Sequence, residues 1–301
     1  MNLPGSTRIQ EERQEAERTA LAPQARRRWT SGRSRPSSSR GRVPPLAATA
    51  LALLAGFIAL PIVSLILWTV DEGSWHAMTS PVAWDALMLS ARTTAISLFT
   101  IILVGTPAAY VLARYDFPGK RLVDTLIDIP AVLPPSAAGI ALLLAFGRFG
   151  LLGEHLSAFG ITISFTTTAV VLAEMFVASH FYVRQASVGF AQVDRILEES
   201  AMVDGASRIT VFLRITVPLA FPALLAGAVM AWARALGEFG GTIIFAGNLQ
   251  GVTQTIPLAI FSTLERDFDA AVALSVLVLV FAFAVIFCAR YITRKAAEFG
   301  E

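Results

Sequence analysis

The sequence predicts an all-α membrane protein with six transmembrane helices, and three observations carry that expectation. Of its 301 residues, 55% are hydrophobic and only 15% charged, with a mean hydropathy of +0.63. A soluble domain is nearer a quarter charged, so this chain cannot cover a globular surface with polar groups, which excludes an ordinary soluble enzyme. Apolar runs of spanning length recur at roughly 46–70, 86–112, 121–147, 167–191, 215–244 and 268–291. The segments joining these runs alternate between poor and rich in basic residues.

Residues 1–45 hold ten Arg and four Glu among Ser and Pro, with too few apolar side chains to fold alone. They read as a disordered, Arg/Ser-rich cytoplasmic tail. The tail accounts for the pI of 9.0, since the remainder is slightly acidic, so binding of nucleic acid by a folded domain is not implied. The first apolar run is too long for a cleaved leader and crosses a hydrocarbon layer of about 30 Å as an anchor. Segment 71–85 carries Asp71, Glu72 and Asp85 but no Lys or Arg, whereas 113–121 carries Arg114, Lys120 and Arg121. Segment 148–166 has Arg148 against Glu154, segment 192–214 has Arg195, Arg208 and Arg214, and segment 245–267 has only Arg266. With Arg290, Arg294 and Lys295 at the end, the pattern places both termini in the cytoplasm.

Helix breakers interrupt several runs: Pro61, Pro107, Pro134 with Pro135, Pro218 with Pro222, and Gly237, Gly240 and Gly241. Freed backbone groups in lipid need partners from neighbouring helices or a water-filled cavity. Such breaks fit helices lining a path and fit plain kinks equally. The single cysteine, Cys288, excludes an intrachain disulfide, and His76, His155 and His180 lack metal-ligand spacing. His180 and Cys288 read as satisfied or buried side chains.

The fourth joining segment, 194–216, has its own pattern. Helix-favouring residues run to Asp204, and Gly205 offers a left-handed stop. Ser207 can cap a second short helix, and Pro218 opens the next span where its missing N–H costs little. The pattern gives two short helices at a glycine elbow, presenting Ala206, Ile209 and Phe212 outward. On physics alone, an amphipathic loop resting on the membrane face fits as well.

Glu199-Ser200-Ala201, with Gly205 four residues after the alanine and Val217-Pro218 closing the segment, resembles the EAA loop of ABC importer permeases. Ser200 departs from the usual alanine, a small-for-small change. The resemblance implies a type I ABC importer permease fold over 46–295, in which this loop couples to an ATP-binding subunit. Glu199 would anchor the first short helix, Gly205 the elbow, and the turn from Ala206 to Phe212 the contact; Ala201, Asp204 and Pro218 complete the coupling set. The only lysines, Lys120 and Lys295, complete no phosphate loop. The chain is therefore expected to be a permease without an ATPase site and without a cofactor of its own, with ATP and Mg on the partner.

Trp232 to Gly241 and Phe245 to Asn248 resemble the fifth-span signature of oxyanion permeases. Thr253 to Leu258, Asp269 to Ser275 and the stretches around Val132–Pro135 and Gly147–Gly153 are more similar to molybdate than to sulfate permeases. The resemblance implies a bacterial cytoplasmic-membrane importer of molybdate, with sulfate or tungstate as alternatives. Its partners would be a second copy of the chain, two ATP-binding subunits, an extracytoplasmic oxyanion-binding protein and membrane lipid. Candidate path residues are Pro134, Pro135, Ser136, Arg234, Gly237, Glu238 and Gly240, with hydroxyls from Thr93, Thr94 and Ser97 as further anion donors. Arg234 and Glu238, one turn apart, fit a structural pair as well as a path. Glu174 and Arg92 read as partners or interface-facing residues. The rival class is an ion-gradient-driven secondary transporter coupled through Glu174 and Glu238.

Overall fold

A computed structural model describes residues 44–71 and 74–298. The expected tail falls almost wholly outside them. The described residues form helices joined by short turns, with no strand among them. The chain divides into two units, 1–58 and 59–301; the described part of the first is the opening half of helix α1, Pro45–Asp71. At the other end of α1, Trp68 Nε1 donates to Asp269 Oδ1 at 2.9 Å, and its ring meets Phe268 edge-on.

After a single turn α2, Trp75–Met78, helix α3 runs Pro81–Arg114, opened by Ser80, whose hydroxyl accepts the Ala83 N–H, and by proline in the first turn. The third apolar run is two helices, α4 Lys120–Val132 and α5 Pro135–Phe146, bent by 120° at Leu133-Pro134. Proline disfavours helical dihedrals in the residue before it, so two consecutive prolines turn an expected single span into a broken one. A short α6, Gly153–Ala158, leads to α7, Thr167–Gln192.

Four segments are long and apolar enough to cross a membrane: Pro45–Val70, Pro81–Arg114, Arg208–Leu236 and Phe268–Tyr291, with the bent α4–α5 pair as a fifth. The expected fourth span, α7, has the length, about 39 Å at 1.5 Å per residue, but not the composition. It carries Glu174, His180 and Arg184 because it packs against protein. Its buried Ala178, Tyr182, Ala186 and Phe190 meet Ile101, Ala109 and Leu112 of α3. They also meet Ala220, Leu224, Ala228 and Ala231 of α10, Val217–Leu236. Small residues at such crossings let backbones approach.

The loop between α7 and α10 holds α8, Arg195–Val203, and a single turn α9, Arg208–Val211. Here the second short helix is not separate. It continues through a π turn, Phe212–Thr216, directly into α10. Pro218 removes the N–H an α-helix would aim at the Arg214 carbonyl and crowds that oxygen, and the turn before it is widened. The expected 215–244 span accordingly begins at Arg208 and stops at Leu236, followed by α11, Gly240–Phe245. Helices α12, Ile256–Leu264, and α13, Phe268–Glu298, complete the described residues.

The two breaks touch. A Cβ on Gly139 of α5 would lie 2.9 Å from the Gly241 carbonyl oxygen and 2.9 Å from Ile244 Cβ, and one on Gly240 would lie 2.6 Å from Pro135 Cβ. Leucine at position 139 should force α5 from α11 and lower stability by about 1–3 kcal/mol, the usual cost of overpacking. Thermal unfolding of the detergent-solubilised protein checks this, and an unchanged midpoint would refute the contact.

Candidate functional site

The loop between α7 and α10 is built from its caps. Asp194 accepts from the Ile196 N–H at 2.9 Å and opens α8. At the far end the Gly205 N–H donates to Met202 O and the Ala206 N–H to Ala201 O, at 3.1 and 3.0 Å. Gly205 sits at φ +93°. This double closure is the Schellman stop, whose left-handed residue is strongly disfavoured with a Cβ. Asp204 is its exposed C-cap. Ser207 then accepts from the Thr210 N–H at 3.2 Å and opens α9. The glycine elbow and the serine cap stand where the spacing places them.

Two expectations for this loop are corrected. Glu199 is exposed, and the anchor is its neighbour Glu198, 8% exposed. Glu198 Oε1 accepts from Arg114 Nη2 at 3.0 Å and from Thr216 Oγ1 at 2.7 Å, while the same Arg114 nitrogen donates to the Val193 carbonyl at 2.8 Å. One carboxylate thereby ties α8 to the end of α3, the end of α7 and the π turn. Consecutive glutamates lie about 100° apart on a helix, and nothing in the sequence says which one faces Arg114. The second correction concerns Phe212. It is half-buried, its ring centroid 4.9 Å from Tyr110 and 6.0 Å from Phe190. Ile209 faces outward as expected, 72% exposed, and Val203, 87% exposed, joins it, while Ala206 is half-buried.

A cavity of about 410 Å³ opens between the loop and the end of α3, lined by Tyr110, Arg114, Arg195, Glu198, Glu199 and Arg208 among others. Beside it, Lys120 donates to Asp116 at 2.9 Å and holds that exposed carboxyl below the usual carboxylate range.

Deeper in the bundle, the candidate path residues separate into two groups. Pro134, Pro135 and Ser136 are exposed at the break that opens α5, and Gly240 packs on Pro135. Gly237 is the exposed C-cap of α10. Arg234 and Glu238 form the pair expected of them, Nη2 to Oε2 at 2.8 Å, with the carboxylate buried and its other oxygen accepting the Gly241 N–H at 2.7 Å. Glu238 therefore serves the break structurally. The hydroxyls proposed as anion donors are occupied. Thr93 and Ser97 each donate to Glu174 at 2.8 Å, and Thr94 donates to the Ser90 carbonyl at 2.7 Å. A buried carboxylate in a membrane helix needs such partners, and it takes them from α3. Arg92 is exposed. His180 is satisfied, with Nδ1 3.3 Å from Ile127 O and 3.1 Å from Asp128 Oδ1. Cys288, expected to be satisfied or buried, is exposed. Missed altogether was Arg184, bonded to Asp124 and Asp128. Three charges inside apolar runs were its signal in the sequence.

A helical bundle with charges paired inside apolar helices, broken spans and a capped elbow is the architecture of a multi-span membrane protein. The chain belongs to the family of binding-protein-dependent transport system inner membrane components, which it matches over residues 101–298. It is 44% identical over 238 residues to the molybdenum transport system permease protein ModB of Mycobacterium bovis, covering 78% of this chain and 90% of that protein. It is 33% identical over 257 residues to a probable sulfate transport system permease protein, cysT, of Nephroselmis olivacea, covering 84% and 90%. Its fold is that of a chain in a bacterial alginate ABC transporter solved with a pentasaccharide-bound periplasmic protein. That match has a TM-score of 0.64 at 17% identity and covers 83% of this chain and 94% of that one. The protein is thus a transmembrane ABC permease with molybdate- and sulfate-transporting relatives.

Glu198→Ala would leave the Arg114 guanidinium, 6% exposed, without its carboxylate. Breaking a buried pair from one side costs about 3–5 kcal/mol, whereas Glu199→Ala on the exposed face should stay within about 0.5 kcal/mol. Thermal unfolding of the two variants side by side distinguishes them, and equal effects would refute the assignment of the anchor.

Proposed function

We propose that the chain is the membrane-spanning subunit of an ATP-driven importer of a tetrahedral oxyanion, molybdate in the first place. It crosses the membrane six times, with α7 as the span hidden inside protein, and both termini are cytoplasmic. Two copies form the pathway at their two-fold interface. Two ATP-binding subunits, which hold ATP and Mg, receive the loop between Asp194 and Thr216. An extracytoplasmic binding protein delivers the anion to the outward-facing state. ATP binding closes the two ATPase subunits, their clefts carry the elbow around Gly205, and the attached helices rock between inward- and outward-facing.

The 44% identity to a molybdenum permease across most of both chains carries the substrate reading. The 33% identity to a sulfate permease keeps sulfate as the second reading. The bonding of the two candidate coupling acids supports ATP drive over an ion gradient. Glu174 is held by Thr93 and Ser97, and Glu238 by Arg234 and the Gly241 N–H. With Thr93, Thr94 and Ser97 engaged, Ser136, the backbone N–H groups that follow Pro135 and the unpartnered Thr242 hydroxyl remain as donors near the break for a weak, easily vacated anion contact.

In liposomes holding permease, ATPase and binding protein, molybdate should stimulate ATP hydrolysis. Stimulation by sulfate alone would overturn the substrate, and uptake that ignores ATP but collapses with the proton gradient would overturn the drive. Gly205→Pro demands φ of about −65° where the elbow needs +93°. Strain of that order should weaken ATPase retention on co-purification by roughly tenfold or more, with uptake falling in step.

A further inference from the structure

Arg184 of α7 is the most heavily bonded charged side chain inside an apolar run. Its Nε and Nη2 clasp both oxygens of Asp128 at 2.6 and 2.8 Å, its Nη1 donates to Asp124 Oδ1 at 3.0 Å, and Nη2 also donates to the Asp124 carbonyl at 2.7 Å. All four acceptor atoms belong to α4, the arm beyond the 120° bend at Leu133-Pro134. Along their helices Asp128 lies about 12 Å past Lys120 and Arg184 about 12 Å before Gln192, which puts the cluster in the inner part of the membrane in the six-span reading. The guanidinium is nonetheless 34% exposed, and the two carboxylates 33% and 46%. Charges at that depth face protein or water, not lipid. A shallow, almost wholly apolar groove of about 440 Å³ runs along α4, touching Asp128 at one end and Pro134 of the break at the other; Arg184 itself does not line it.

We infer that Arg184 is a transient contact for the tetrahedral oxyanion in the inner half of the pathway, masked by Asp124 and Asp128 while α4 lies against α7. This rests on the oxyanion-permease reading. A guanidinium fork that fits a carboxylate edge-on fits two oxygens of a tetrahedral dianion equally well. Left bare in a low-dielectric passage, it would hold the dianion too long, and conduction needs sites that are easily left. Two aspartates around one arginine remove that trap and leave the cluster negative when no anion is present, with His180 on Asp128 as the neighbouring titratable group. Because every carboxylate contact comes from α4, a swing of α4 at its bend strips both from Arg184 in one movement. The anion takes their place, and the return of α4 expels it.

The test uses the complete transporter in liposomes for uptake, and the permease–ATPase complex without binding protein for retention of radiolabelled molybdate. Asp124→Asn with Asp128→Asn should leave a bare cation that retains molybdate at least roughly tenfold more strongly than wild type while uptake slows. Arg184→Gln should abolish that retention and move roughly tenfold less molybdate per ATP hydrolysed. The triple variant carrying all three substitutions keeps a neutral, isosteric cluster. It should recover neither retention nor uptake. Recovery of wild-type uptake by the triple variant, or no added retention in the double variant, would show a latch between helices only and overturn the proposal. A wild-type complex that moves sulfate but not molybdate fails the substrate reading alone, and the same variants are then scored with labelled sulfate. A complex that moves neither anion defeats the permease reading and this site together.

Discussion

Charge placed among membrane helices has to be neutralised inside the protein, and that constraint organises the helix packing here. Each of the charges on α7 and α10 reaches across to a neighbour or along its own turn: Glu174 to hydroxyls of α3, Arg184 to carboxylates of α4, Arg234 to Glu238. The desolvation penalty for an unpaired ion is several kcal/mol, so these contacts admit few alternative registers between the helices. Dispersion between small residues supplies the close approach, and the polar contacts choose which approach it is. Helix α7 could not be a lipid-facing span with this sequence. It packs between α3 and α10, and they in turn are apolar on their outer faces, as Phe99, Leu103, Leu219 and Met230 show by exposure.

The same economy governs the broken backbone. Ending α10 at Leu236 and starting α5 at Pro135 frees N–H and C=O groups that lipid cannot satisfy. Packing one break on the other addresses part of this, and a side chain addresses more. The Glu238 carboxylate accepts the Gly241 N–H as the chain turns into α11, and Arg234 compensates its charge. Gly139 is needed because a Cβ there would meet the Gly241 carbonyl, Gly240 because it would meet Pro135, and Gly241 because it would crowd the Glu238 carboxylate at 3.0 Å. The path and structural readings of Glu238 are thus not symmetrical. A carboxylate committed to capping a break cannot also turn toward a passing anion without uncapping it.

Local chemistry was legible in the sequence and long-range pairing was not. The elbow at Gly205, the Ser207 cap beyond it and the pair of Arg234 with Glu238 depend on residues within six positions of one another, and all stand as spacing predicts. The helical class followed from composition together with apolar runs of spanning length. The break at Leu133-Pro134 was marked by its prolines, but its 120° angle depends on what α5 packs against. The choice of Glu198 over Glu199 depends on Arg114, more than eighty residues away. Thr93 and Ser97 looked like free donors because their partner, Glu174, is on another helix. Phe212 was assigned outward by treating the loop as two separate short helices. Once the π turn joins α9 to α10, the same residue rotates onto Tyr110 and Phe190.

That continuity has a mechanical consequence for the proposed cycle. A loop attached to its spans through flexible joints would absorb displacement at the joints. This loop has none between Arg208 and Leu236. Movement imposed on the exposed Ile209 turn is carried along one helix to the break at Gly237, where the chain rests through Gly240 on Pro135, beside the bend that sets the direction of α4. On the other side of the elbow, Glu198 fixes α8 to Arg114 and Thr216, so the two short helices travel with α3 and α10 rather than independently of them. A hinge placed at Leu133-Pro134 and a stiff lever ending against it are complementary parts. The lever alone would move nothing at the path, and the bend alone would have no input from the cytoplasm. Arg184, whose carboxylate contacts all come from the arm beyond that bend, lies where such a displacement would be felt as a change in charge.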